Sequence, residues 1–179
     1  MERQSHGFAF ENIIRNKYGI VKNPNYTGKW DGWLNGIPVS IKLEQFKTDV
    51  EMADFFRNAN NTEDFYLIVG FWQGNKKNIV SYYTLFIPAR EWANLFNKEC
   101  EKYFSYIIEN ITNDRGDDTK WKKWIKEGKE KWQSSTPNLI RPRFKRDHKA
   151  QKRIQCAINY QDFINYFVKK YGVILDDNN

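Results

Sequence analysis

The sequence predicts an α+β fold, with helices flanking a central β-sheet and a basic helical part at the C-terminal end. Three observations lead there. Asn35-Gly36 stands between two runs of alternating polarity, the strongest short hairpin signal. "FYLIVGFW", Phe65 to Trp72, is a continuous apolar run of strand length, as in a strand covered on both faces. On either side lie segments with helical periodicity, one of which sets Trp121, Trp124, Ile125, Gly128 and Trp132 on a single stripe.

The elements follow in order. A first helix is expected from about Ser5, a plausible N-cap, to Tyr18, with Gly19 as its stop. It carries Phe10, Ile13, Ile14 and Lys17 on one stripe and Glu11 beside it. "YGIVKN" reads as a short strand, and the hairpin follows from about Lys29 to Glu44. "TDVEMADFFRNANN" predicts a second helix, with a Thr48/Glu51 capping box and a buried stripe of Met52, Phe55, Phe56 and Ala59. The apolar strand comes next, then the turn "GNKKN" and a further strand, "NIVSYYTLFI". "AREWANLFNKECEKYFSYIIENI" and "DTKWKKWIKEGKEKW" read as helices and "SSTPNLIRPRF" as a loop. Helical character is expected to return only from about Asp147, and a last helix near "YQDFINYFVKKYG" closes the domain. The division expected is 1–110 for the core and 111–179 for a basic helical part packed on that core.

The hairpin carries the chemistry. A two-residue type I′ turn at Asn35-Gly36 sets Leu34 opposite Ile37, Trp33 opposite Pro38 and Asp31 opposite Ser40. Lys42 becomes the diagonal neighbour of Asp31. Alternation sends Val39, Ile41 and Leu43 to the core face, and Ser40, Lys42 and Glu44 to the face of Asp31. On a plain solvated face Asp31 and Lys42 would be a surface ion pair worth under about 1 kcal/mol. The flanking Trp30 and Trp33 argue against a plain surface.

The order of these motifs resembles the PD-(D/E)XK nuclease superfamily, which includes many type II restriction endonucleases and the Holliday-junction resolvases. The likeness covers roughly Phe8 to Phe71. "GFAFE" is similar to that superfamily's first-helix acid, "WDG" to its central aspartate, and "SIK" to its (D/E)xK step. The resemblance implies a restriction-endonuclease-like core with a central mixed β-sheet. It also implies Mg²⁺, with Mn²⁺ able to substitute, held by Asp31, Glu11 and the Ile41 carbonyl. Lys42 would orient the attacking water or stabilise the pentavalent phosphate. The sequence departs from the pattern at Ser40, where an acid is expected. Glu44 is the first candidate to supply it; Asp54 and Glu51 are possible migrated acids on the following helix.

Composition points to an anionic partner. The chain of 179 residues has a net charge of +7 and a pI near 9.3. Lys120 to Arg153 holds thirteen basic and three acidic residues, a net +10 that leaves −3 for the rest. Arg141, Arg143, Lys145, Arg146, Lys149, Lys152 and Arg153 are candidate DNA contacts, with Gln151 and Gln155 as possible readers of adenine edges. Cys100 and Cys156 form no CxxC pair, and His6 and His148 lie far apart, which argues against a zinc site and against zinc-dependent ββα nucleases. No GxxxxGK[ST] loop is present, so no nucleotide cofactor is expected. With no signal-peptide pattern and no membrane-length apolar run, the expectation is a cytoplasmic protein.

The leading expectation is a Mg²⁺-dependent, sequence-specific double-strand DNA endonuclease of a restriction system, acting as a homodimer because one site cuts one strand. The alternatives are a structure-selective Holliday-junction resolvase and a non-catalytic DNA-binding module with a degenerate site.

Overall fold

A computed structural model describes residues 2–25, 28–75, 78–113, 118–135, 138–146 and 152–177. The chain is α+β and forms two compact units. The first gathers Met1–Val50, Thr62–Arg90 and Asn159–Asn179; the second gathers Glu51–Asn61 and Glu91–Ile158. The boundary expected at 110 falls instead inside a helix, and the C-terminal helix belongs to the first unit.

The first unit is built on a mixed five-stranded sheet of order β1-β2-β3-β5-β6. Helix α1 (Glu2–Tyr18) precedes β1 (Val21–Lys22), β2 (Gly32–Leu34) and β3 (Ile37–Gln45). The helix begins earlier than Ser5, so Ser5 is not its N-cap. Its end is as expected. Gly19 takes φ +66°, and the Ile20 amide donates to the Arg15 carbonyl at 3.0 Å, a glycine-dependent helix stop. Strand β5 (Phe65–Gln73) runs parallel to β3 and antiparallel to β6 (Asn78–Ile87).

Both faces of β5 are covered, which explains its unbroken apolar sequence. On one face α1 lays Phe10, Ile14 and Tyr18 against Val39, Ile41 and Ile68. Gly70 makes this possible, because a Cβ there would run into the Phe10 ring. On the other face Phe71 meets Tyr160 at 5.2 Å and Phe163 at 5.8 Å between ring centroids. These rings come from the closing helix, α6 (Tyr160–Asp162), which continues through a π-helical stretch (Phe163–Val168) into α7 (Lys169–Tyr171). At the far end of α1, Lys17 Nζ donates to Tyr82 Oη at 2.8 Å, and the Tyr18 and Tyr82 hydroxyls lie 3.0 Å apart, fastening the helix to β6.

The second unit contains α2 (Phe55–Ala59), α4 (Lys98–Asn113), α5 (Asp118–Ser135) and a three-stranded sheet of order β4-β8-β7. That sheet is formed by β4 (Val50–Asp54), β7 (Ile140–Arg146) and β8 (Lys152–Ile158). Its core is aromatic: Phe55 lies 5.1 Å from Phe104 and 5.4 Å from both Phe96 and Trp132. Gly128 lets α5 approach closely, since a Cβ there would sit 3.1 Å from the Phe104 ring and 3.3 Å from that of Phe144.

Three expectations change here. Residues 50–54 are a strand, not the start of a helix, and the Thr48/Glu51 capping box does not form. Thr48 instead closes a turn by donating to the Gln45 carbonyl at 2.8 Å, while Asp54 caps α2 by accepting from the Arg57 amide at 2.8 Å. The long helix expected from Ala89 is broken into α3 (Ala89–Ala93) and α4, with Asn97 capping α4. The stretch around Arg141 is a strand and not a loop, so the basic part is a β-hairpin packed with helices. Pro142 is tolerated because β7 lies at the sheet edge. Among the described residues, no helix is long and apolar enough to cross a membrane.

Candidate metal and phosphate site

The site lies in the first unit, where the hairpin meets α1. Asn35 (φ +50°) and Gly36 (φ +81°) form the two-residue turn. The ladder then pairs Leu34 with Ile37, Trp33 with Pro38 and Gly32 with Val39. The Asp31 amide continues it by donating to the Val39 carbonyl at 2.9 Å. Asp31 thus arrives beside Ser40, as the register requires.

Asp31 Oδ2 gathers three donors. The Ile41 amide is at 2.7 Å, the Ser40 hydroxyl at 3.4 Å and Lys42 Nζ at 3.5 Å. The Asp31 and Lys42 side chains keep only 27% and 24% of their surface exposed, so this is not a pair in bulk water. Ser40 is buried. Ile41 meets Asp31 through its N–H; this contact does not involve the carbonyl expected as a metal ligand.

Glu11 reaches the same place from α1. Burial and then the charge of Asp31 push its carboxyl pKa up, while the charge and hydrogen bond of Arg15 and the charge of Lys42 pull it down. Arg15 is the residue that sequence reasoning missed. One turn beyond Glu11, it donates to Glu11 Oε2 at 2.5 Å and to the Asp31 carbonyl at 3.5 Å. The signal available was the i,i+4 spacing of Glu11 and Arg15. Two carboxylates and two cations therefore sit together, with a formal charge of zero.

The remaining sequence candidates do not complete a larger acidic cluster. Glu44 lies on the Lys42 face of β3. Among the described residues, however, no three His, Cys, Asp or Glu side chains are placed to hold a metal. Glu51 and Asp54 belong to the second unit, where Glu51 pairs with Arg143 at 3.1 Å and Asp54 caps α2.

A two-carboxylate set still suits Mg²⁺. That ion is commonly held by one or two carboxylates together with water and substrate phosphate. Asp31 Oδ1 and Glu11 Oε1 accept no hydrogen bond among the described residues, so each acid offers one oxygen.

The candidate DNA contacts fall in the second unit. Arg141, Arg143 and Lys145 lie on β7, and Arg153 and Gln155 on β8. Arg146 and Lys152 are backbone partners at the end of that ladder. Lys149 and Gln151 lie outside the described residues. No protein-family model, curated protein or solved structure matches the chain.

Proposed function

We propose that the protein is a Mg²⁺-dependent DNA endonuclease, with Asp31, Glu11 and Lys42 at its centre. The observation that carries this reading is the meeting of Asp31, on the bend that leads into β2, with Lys42 of β3 and Glu11 of α1, β3 running parallel to β5 beside them. A half-buried aspartate beside a lysine, with a second acid from a helix, suits phosphodiester hydrolysis better than it suits structural support.

Asp31 Oδ1 and Glu11 Oε1 would hold the ion, which would neutralise charge on the scissile phosphate and lower the pKa of an attacking water. Lys42 is a compact charge on a flexible stem, and from its place beside Asp31 its ammonium reaches a phosphate oxygen there or a water beside it. The Ile41 amide and Ser40 hydroxyl fix the Asp31 rotamer, so its other oxygen points the same way in every turnover. Arg15 holds Glu11 against the hairpin and offsets part of the rise that burial imposes on its carboxyl pKa. Cutting a duplex at one place would need a homodimer, because each site addresses one strand. Duplex specificity of restriction type is the preferred form of this reading.

Incubation with supercoiled plasmid in Mg²⁺ or Mn²⁺ tests it. Discrete linear fragments are expected, with none in EDTA, and Asp31→Ala and Lys42→Ala should each abolish cutting while leaving DNA binding in place. Cleavage retained by either variant would discard the site. Cutting confined to four-way junctions would make the protein a junction resolvase. A second reading, a DNA-binding module without catalysis, is favoured by one observation: a serine stands where a third acid would be, and each acid already faces a cation. Tight duplex binding with no cutting in either metal would select it.

A further inference from the structure

We infer that the cavity between α5 and β7 is a binding site for a nucleoside monophosphate. It lies wholly within the second unit and does not rest on the nuclease reading.

The cavity has a volume of about 520 Å³. Small-molecule sites of about 300–1,000 Å³ combine an apolar lining with a few placed polar groups. Here Trp132, Ile140 and Pro142 supply the apolar part, the first two almost wholly buried. The Trp132 indole N–H is already used, donating to the Ile140 carbonyl at 2.7 Å, so the ring offers the cavity only apolar surface. A flat ring system is the kind of group such a wall takes.

The charge comes from both elements. Lys129, Trp132 and Gln133 stand at i, i+3 and i+4 and so share one face of α5, while β7 brings Arg141. No carboxylate is among the described residues that line the cavity. A concave space focuses the field of two cations, so it attracts a small anion more than the same charges on a flat surface would. Arg141 already has a partner in the protein, and its five N–H donors let it keep that partner while presenting another edge to a phosphate. Lys129 is exposed, and its flexible stem lets the ammonium follow a bound phosphate.

Two amides complete the lining. Asn138, at φ +56° on the way out of α5, donates from Nδ2 to the Gln133 backbone carbonyl at 3.2 Å. The Gln133 side chain is exposed beside it. A primary amide sets a donor next to an acceptor, the pattern that matches the edge of a nucleobase. Inorganic phosphate would leave the apolar wall unused, and a fatty anion would leave the amides unused. A cavity of this size takes one drug-sized molecule and not a length of strand. The chemistry that fits is a single nucleotide, free or at a phosphorylated strand end.

Isothermal titration calorimetry of the full chain in EDTA, with AMP, GMP, CMP and UMP as probes, tests this. At least one should bind with a Kd between about 10 µM and 1 mM, ordinary for a ligand of this size in an open site. Inorganic phosphate and the matching nucleoside should each bind about tenfold more weakly or worse. Lys129→Glu should weaken nucleotide binding by about tenfold or more. Lys122→Glu, the same change of charge two turns away and outside the lining, should weaken it by no more than about threefold at physiological salt. Both lysines are exposed, so neither substitution should lower the melting temperature, measured alongside. Gln133→Leu should leave inorganic phosphate binding unchanged but lower nucleotide affinity by about fivefold and alter the ranking of the four bases. The inference is overturned if no nucleotide binds at up to about 5 mM, or if inorganic phosphate binds as tightly as the best of them. It is equally overturned if Lys129→Glu keeps the parent affinity, or if Lys122→Glu harms it as much. Competition separates the sources. An oligonucleotide that displaces the nucleotide only when 5′-phosphorylated makes a strand end the natural ligand, and one that displaces it in neither form leaves the free nucleotide. Equal displacement by the 5′-hydroxyl form would mean general backbone contact and would overturn the inference too. Absence of plasmid cutting in Mg²⁺ or Mn²⁺ sinks the nuclease reading and moves none of these outcomes.

Discussion

Replacing Asp31 with asparagine separates chemistry, stability and DNA attraction. The carboxylate accepts the Ile41 amide at 2.7 Å and faces Lys42 Nζ at 3.5 Å, with about a quarter of each side chain exposed. Asparagine keeps an acceptor for Ile41 but converts a charge-assisted bond into a neutral one, a loss of about 1 kcal/mol. Lys42 loses an ion pair intermediate between exposed and buried, which adds up to about 1 kcal/mol. The total of about 1–2 kcal/mol corresponds to a fall in Tm of about 2–8 °C for a chain of this size, readable by calorimetry. On the proposed reading, cleavage should drop by about 10³-fold or more, about 4 kcal/mol, because the carboxylate that would hold the ion is gone. Duplex affinity in EDTA should move the other way. A negative charge removed about 8 Å from a phosphate is worth about 0.5 kcal/mol in water, so binding tightens by about twofold at low salt. Fluorescence anisotropy on a labelled duplex reads this. Binding tenfold weaker than the parent, or cleavage within tenfold of it, would refute the placement of Asp31 at the phosphate.

Gly70→Ala should push α1 off the sheet through Phe10 and cost about 1–3 kcal/mol, lowering both Tm and cleavage because Glu11 and Arg15 ride on that helix. Asp54→Ala removes the α2 cap and should cost about 1 kcal/mol in denaturant unfolding without affecting cutting. Cys156 is fully buried, and burial pushes its thiol well above its ordinary value of 9.0. Above pH 9 the unfolded chain therefore releases a proton that the native state keeps. Stability should fall by up to about 1.4 kcal/mol per pH unit from this group, and Cys156→Ala should flatten that alkaline slope. Arg15→Gln should lower cleavage by about tenfold or more through a displaced Glu11 while leaving EDTA-state DNA binding within a few-fold, as read by parallel cleavage and anisotropy assays.

The parts of the fold that were legible in the sequence are those determined by neighbours in the chain. Asn35-Gly36 needs positive φ at both positions, and that local demand carried the register which puts Asp31 beside Ser40 and Lys42. The double cover of β5 was visible because burial on both faces erases alternation. What stayed hidden depended on distant partners. Met52, Phe55, Phe56 and Ala59 have helical spacing, yet residues 50–54 pair with a strand a hundred positions later, and that pairing overrides the local pattern. In β7 the alternation of Ile140, Pro142 and Phe144 with Arg141, Arg143 and Lys145 was present in the sequence. Proline and the density of charge masked it, although an edge strand tolerates both. Arg15 was overlooked because an i,i+4 partner looks like ordinary helix decoration until its second contact, on the Asp31 carbonyl, is seen.

The discontinuous first unit has a consequence for how the protein comes to be active in a cell. Its sheet is complete by Ile87, yet the rings that cover the Phe71 side arrive only with Tyr160 and Phe163. At translation speeds of about 5–20 residues per second, a nascent polypeptide waits several seconds with that side bare. A first unit made this way stays immature on the ribosome, and a message broken before codon 160 yields a product that lacks the closing helix.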